Sequence, residues 1–179
     1  MTQVGNVYGE ALYDLAASEN VSETILHQMK ILNESFVQEP DYLRLLSAPG
    51  LSKEQRCDIL DQSFRGKVEP YLLNFLKILA EKGYARHFAD CLVTYEALYN
   101  RDHGILAVTA VTAVALTQPQ QEKLIQKLSV LTGKTISLTN RIDSGVLGGI
   151  RLDYDGKCLD DTVSHRLESV RSLLKNTVI

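Results

Sequence analysis

Through the first hundred residues apolar side chains recur three or four positions apart, the spacing of one helix face. Residues 3–17 hold two such rows, Val4, Tyr8, Ala11 and Leu15 in one, Gly5, Gly9, Leu12 and Ala16 in the other. A second helix is predicted from Asn20, with Glu23 three residues on as in a capping box, and its row is Ile25, Met29, Leu32 and Phe36. Pro40, which has no N–H for the helical ladder, stops it. A short helix at 41–47 breaks at Pro49-Gly50, and Ser52 with Gln55 opens a fourth that Gly66 ends. Glu69-Pro70 starts a fifth, with Gly83 placed to end it. A sixth spans Ala85 to Asn100 with Phe88, Cys91, Leu92, Tyr95, Leu98 and Tyr99 on one side.

The period changes after His103-Gly104. Residues 105–116 carry no charge and are rich in Val and Thr, which predicts a strand buried largely on both faces. Thr117 to Gln120 signals a helix through Leu131, with Leu124, Leu128 and Leu131 inward. Residues 135–142 alternate as a strand, Asp143-Ser144-Gly145 is turn chemistry, and Val146 to Leu152 returns as the partner strand. The paired Gly148-Gly149 marks a bulge or a close backbone approach. A last helix over 161–176 carries Val163, Leu167, Val170 and Leu174. The expected fold is α + (α+β): a six-helix bundle over 1–104, then a small α/β unit over 105–179 with a β-hairpin and two helices. The second unit is short for an independent core, so it is expected to lean on something else.

Composition narrows the function classes. Of 179 residues, 45% are apolar and 23% charged, as in folded chains. The 22 acidic side chains outnumber 19 basic ones, so no basic excess is available for nucleic acid. No apolar run is long enough for a membrane span, and the opening residues MTQVGNVYGE have no signal-peptide pattern. Cys57, Cys91 and Cys158 are few and far apart, which reads as free thiols in a reducing compartment. The expectation is a soluble, intracellular protein without membrane insertion.

The sequence carries few residues in catalytic or ligand-binding patterns. Gly133-Lys134-Thr135 looks like the tail of a phosphate loop, but Leu128 stands where that loop needs glycine; a helix C-cap is the simpler reading. Gly145, Gly148 and Gly149 precede no helix that could receive a pyrophosphate. His27, His87, His103 and His165 are scattered and predict no metal site. The pairs Asp153/Asp155 and Asp160/Asp161 fall at turns and a helix start. No catalytic residue, cofactor or metal is expected.

What remains is surplus apolar surface. Between Tyr71 and Ala80 only Asn74 and Lys77 are polar, so the fifth helix offers two rows, Leu72–Leu76–Leu79 and Tyr71–Phe75–Ile78. The first helix also has two. Either both helices lie centrally and bury everything, or one row from each lines an open groove for an amphipathic partner helix. On the residues alone, an independent regulatory or adaptor module with such a groove also stays open.

The same segments resemble the delta subunit of F-type ATP synthases, the family of the mitochondrial oligomycin-sensitivity-conferral protein. Val7-Tyr8 through Ala11-Leu12 and Ala16 is similar to the family's Y-A-x-A-L…A helix, with Gly9 for the usual alanine. Asn74 through Gly83 resembles its N-x-[IL]-x-x-[LM]-A-E-N-G-R segment, with Tyr84 where arginine is common. Ile136-Ser137-Leu138-Thr139-Asn140-Arg141-Ile142-Asp143-Ser144-Gly145-Val146-Leu147-Gly148-Gly149-Ile150-Arg151-Leu152 resembles the C-terminal signature. Asp153-Tyr154-Asp155 and Asp160-Asp161-Thr162 depart from its G-D and D-G-S.

The resemblance implies a non-catalytic stator component, one copy per complex, on the cytoplasmic or stromal face of an energy-coupling membrane. It implies that the helical domain grips the N-terminal helix of an alpha subunit between helices one and five. Those contacts carry over to Tyr8, Ala11 and Ile78, and stripe geometry adds Leu15 and Phe75. The C-terminal domain is expected to bind b-type stalk subunits, with Val146, Leu147, Leu167, Val170 and Leu174 as candidates; the last three read equally as core.

Overall fold

The computed structural model describes residues 2–48, 50–146 and 148–162, and the chain divides into two compact units, Met1–Tyr99 and Asn100–Ile179. The helices are α1 (Gln3–Ser18), α2 (Ser22–Gln38), α3 (Pro40–Leu46), α4 (Lys53–Phe64), α5 (Pro70–Glu81), α6 (Phe88–Asp102) and α7 (Gln118–Thr132). A 3-10 turn at Ala85–His87 leads into α6. The strands are β1 (Ile105–Thr112), β2 (Thr135–Ile142), β3 (Ile150–Tyr154) and β4 (Lys157–Asp160).

In the first unit one apolar core draws on α1 through α6, from Leu12 and Ala16 to Phe88 and Tyr95. The small row of α1 explains its depth. A Cβ on Gly5 would lie 2.5 Å from Asp90 Cβ, and one on Gly9 would lie 2.7 Å from the Cys91 carbonyl oxygen. Only glycine lets α1 lie this close to α6. The Thr2 hydroxyl fixes the start of α1, accepting the Gly5 N–H at 3.2 Å and donating to Asp90 Oδ2 at 2.7 Å. Ser52 and Gln55 cap α4 reciprocally, at 3.2 and 2.9 Å. Arg56 then ties α4 to the Ala80 and Ala48 carbonyl oxygens at 3.1 and 2.8 Å.

The start of α2 differs from expectation. Its cap is Val21, without a side-chain bond, because Asn20 adopts a left-handed turn (φ 57°) that carries it out of capping position. Cys57 is a half-buried free thiol that donates to Glu81 Oε1 at 3.5 Å.

In the second unit the sheet order is β2-β1-β3-β4. β1 pairs parallel with β2 through the α7 crossover, and antiparallel with β3. The hairpin expected between 135–142 and 146–152 is therefore absent; β1 separates the two strands. The turn at Asp143 forms, with Gly145 N–H on Asp143 Oδ1 at 2.9 Å, but the segment beyond it carries the chain past the end of β1. The hairpin that does form joins β3 to β4. Ala107 is exposed and Thr109 half-exposed, so β1 is fully buried on one face only.

Asn140 holds the exit of β1. Its amide donates to the Ala110 carbonyl oxygen and to Thr112 Oγ1, both at 2.9 Å, and its Oδ1 accepts the Leu116 N–H at 2.8 Å. The segment leading into α7 is thus pinned to β2, and the Thr117 N–H donates to Gln120 Oε1 at 2.9 Å at the helix start. Leu124, Ile125 and Leu128 pack on the sheet. Leu131 does not: the apolar cluster under α7 ends at Leu128, and Leu131 is 81% exposed. Gly133, at φ 67°, is the left-handed cap of α7. The helix expected over 161–176 lies outside the described residues from Val163 onward.

Candidate partner-helix groove

Two contacts set α1 and α5 antiparallel. At one end Tyr71, in the first turn of α5, lies close enough to Glu19 at the C-cap of α1 for that carboxylate's charge to act on its hydroxyl. At the other, the Tyr8 ring of α1 packs on Tyr84, just past α5, with centroids 5.9 Å apart. Between these ends runs a groove of about 280 Å³. Leu12 and Phe75, 3% and 6% exposed, form its floor. Tyr8 and Tyr71 are half-buried walls, and Ala11, Leu15, Asn74 and Ile78 lie exposed along the rim.

All five candidates, Tyr8, Ala11, Leu15, Phe75 and Ile78, therefore meet around one cleft. Leu15 at 42% and Ile78 at 46% exposure overturn the reading in which both helices bury every apolar side chain. The small row of α1 faces α6, so the groove belongs to the Val4–Tyr8–Ala11–Leu15 row, with Leu12 reaching it from the next. Leu12 was missed because its row serves the core. Asn74 supplies the one amide side chain of the lining, exposed at the rim.

The groove offers no acid–base pair. Burial and Glu19 and Glu69 act together on Tyr71, whose hydroxyl is pushed up first by the charge of Glu19. His87 and Cys91 stand four apart on the chain, a spacing some metal pairs use. Cys91 is fully buried, which pushes its thiol up to about 11, and His87 Nδ1 faces Asp90 Oδ2 at 3.5 Å. Among the described residues no three His, Cys, Asp or Glu side chains gather to hold a metal.

Of the stalk candidates, Val146 is 8% exposed and leaves little side chain for a partner. Leu147, Leu167, Val170 and Leu174 lie outside the described residues. Among the described residues of the second unit, the exposed large apolar side chains are instead Val114 after β1, Val130 and Leu131 at the end of α7, and Ile142 and Leu159 on the sheet.

Residues 4–174 match the family model described as ATP synthase delta (OSCP) subunit. The ATP synthase subunit delta of Lactobacillus gasseri is 31% identical over 173 residues, covering 96% of this chain and 94% of the relative. That of Chlorobaculum tepidum is 28% identical, covering 93% and 92%. A chain in the cryo-EM structure of the Toxoplasma gondii mitochondrial ATP synthase hexamer shares the fold, with a TM-score of 0.79 at 21% identity, covering 97% of this chain and 98% of that one. With helices, mixed sheet and nearly its whole length accounted for, the chain belongs to the ATP synthase delta (OSCP) subunit family.

Proposed function

We propose that the α1–α5 groove receives the N-terminal helix of an alpha subunit, and that the second unit holds b-type subunits at the end of the peripheral stalk. As a member of its family the chain is a non-catalytic stator subunit of F-type ATP synthase. It links the catalytic head to the stalk, resisting rotor torque so that ion flow is coupled to ATP synthesis. In the proposed arrangement a six-helix bundle contacts the head, one copy serves each complex, and the chain sits on the cytoplasmic or stromal face. No helix of the described residues is long and apolar enough to cross a membrane, which fits a peripheral position.

The observation that carries the reading is the apolar groove, floored by Leu12 and Phe75 and rimmed by exposed Leu15 and Ile78. An amphipathic helix fits such a cleft with anchors at i, i+3/4 and i+7. Burial contributes roughly 25 cal/mol per Å², opposed by the cost of association. Attachment at two sites raises effective concentration, so the pair resists torque better than either contact alone.

The test is reconstitution. Membranes stripped of this chain should hydrolyse ATP without coupled synthesis, and adding it back should restore synthesis. Hydrogen exchange of the chain with a peptide of the alpha subunit's N-terminal segment should protect α1 and α5. Protection elsewhere, with α1 and α5 unchanged, contradicts the groove assignment.

A further inference from the structure

We infer that the groove is electrically polarised, and that it takes a partner helix with basic side chains in its first turn, lying parallel to α5 with that turn over Glu19 and Glu69. The proposal rests on the groove being a helix site and adds the chemistry and direction of its occupant.

The charges around the cleft are unevenly placed. Glu19 ends α1 and Glu69 precedes α5, so two carboxylates flank the Tyr71 end. α1 itself carries Glu10 and Asp14 and no basic residue. At the opposite end Lys82 follows Ile78 by one turn on the same face, and exposed Arg86 follows Tyr84. The two remaining charges of α5 are drawn off to α4: Lys77 Nζ lies 2.7 Å from Asp61 Oδ1, and Glu81 accepts the Cys57 thiol. The Lys77 charge is paired there; Glu81 keeps its charge but is turned toward α4, and Lys82 with Arg86 still leaves that end net positive.

The dipoles of α1 and α5 oppose one another, so side chains decide the polarity of each end. Glu19 also stands where its own helix dipole disfavours a carboxylate, a local cost that basic groups of a partner would relieve. A partner helix carries about half a positive charge at its N-terminus before any lysine is counted. Dipole and side chains therefore favour the same direction.

The probe is a synthetic amphipathic helix of about four turns, with a leucine stripe, two lysines in the first turn, two glutamates in the last and a nitroxide at the N-terminus. Bound to the full chain, it should broaden NMR amide signals around Leu15–Glu19 and Glu69–Tyr71, sparing Ile78–Lys82. The Glu19→Lys/Glu69→Lys double variant should bind it roughly three- to ten-fold more weakly, and the difference should vanish at about 1 M salt. Broadening centred on Ile78–Lys82, or equal affinity of the two chains at low salt, overturns the polarity while leaving the groove. No binding to either chain removes the groove reading, and the proposal with it.

Discussion

The rings of Tyr8 and Tyr84 meet edge to face, 5.9 Å between centroids and 64° between planes. Tyr84 stands just after α5 and so braces the groove wall that Tyr8 provides from α1. Tyr84→Ala removes that brace at the edge of the core, where Tyr84 is only half-buried. The expected outcome is a loss of about 0.5–1.5 kcal/mol in affinity for the alpha N-terminal peptide, measured by titration calorimetry, with the circular dichroism spectrum unchanged.

Gly9 sets the depth of α1. In Gly9→Ala the new Cβ meets the Cys91 carbonyl oxygen, a backbone atom with little room to yield. Overpacking costs about 1–3 kcal/mol, offset by about 1 kcal/mol of helix propensity. The net expectation is a destabilisation of about 1 kcal/mol by urea denaturation; a gain in stability would show that α1 shifts freely over α6.

Asn140 makes three hydrogen bonds that hold the β1–α7 connection. Asn140→Ala leaves the Ala110 carbonyl and the Leu116 N–H without those partners, at a cost of about 1–3 kcal/mol. Hydrogen exchange should accelerate in β1, β2 and α7 and stay unchanged in α2 and α4. Uniform acceleration would contradict the local role.

The Asp90 carboxyl is held below the usual carboxylate range, first by the Thr2 hydroxyl and then by His87. Its folded value is depressed, so the stabilisation is present above the ordinary carboxylate pKa of about 4 and is lost as pH falls through the lower folded value. Asp90→Asn should therefore be less stable than the parent at neutral pH and converge with it under strong acid. Parallel denaturation curves at pH 7 and about pH 2 check the sign.

Most helix positions were readable because their cause is local, whereas the groove was one of two readings that the doubled rows allowed. Apolar side chains three and four apart fix a face, and two rows on α1 and α5 exceed what one core needs. Periodicity alone did not say which α1 row faces the cleft, since that depends on how closely Gly5 and Gly9 let α6 approach; the family resemblance supplied Tyr8 and Ala11, and with them the row. The sheet order failed for a related reason. A strand as free of charge as β1 belongs in the middle of a sheet, with partners on both sides, yet sequence neighbours β2 and β3 invited a hairpin. Leu131 kept its place in the stripe while the core beneath α7 ended at Leu128.

Ile78 bears most directly on the clamp, because it is 46% exposed and lies on the rim of the groove. Ile78→Asp should leave the thermal transition nearly unchanged, since the carboxylate stays in water in the free chain. On binding, that carboxylate would be buried without a partner, at a cost of at least about 2 kcal/mol or roughly thirty-fold in Kd. Titration calorimetry with the alpha subunit's N-terminal peptide should show that loss. Equal affinity for the parent and a fully folded Ile78→Asp chain would place the partner helix somewhere other than between α1 and α5.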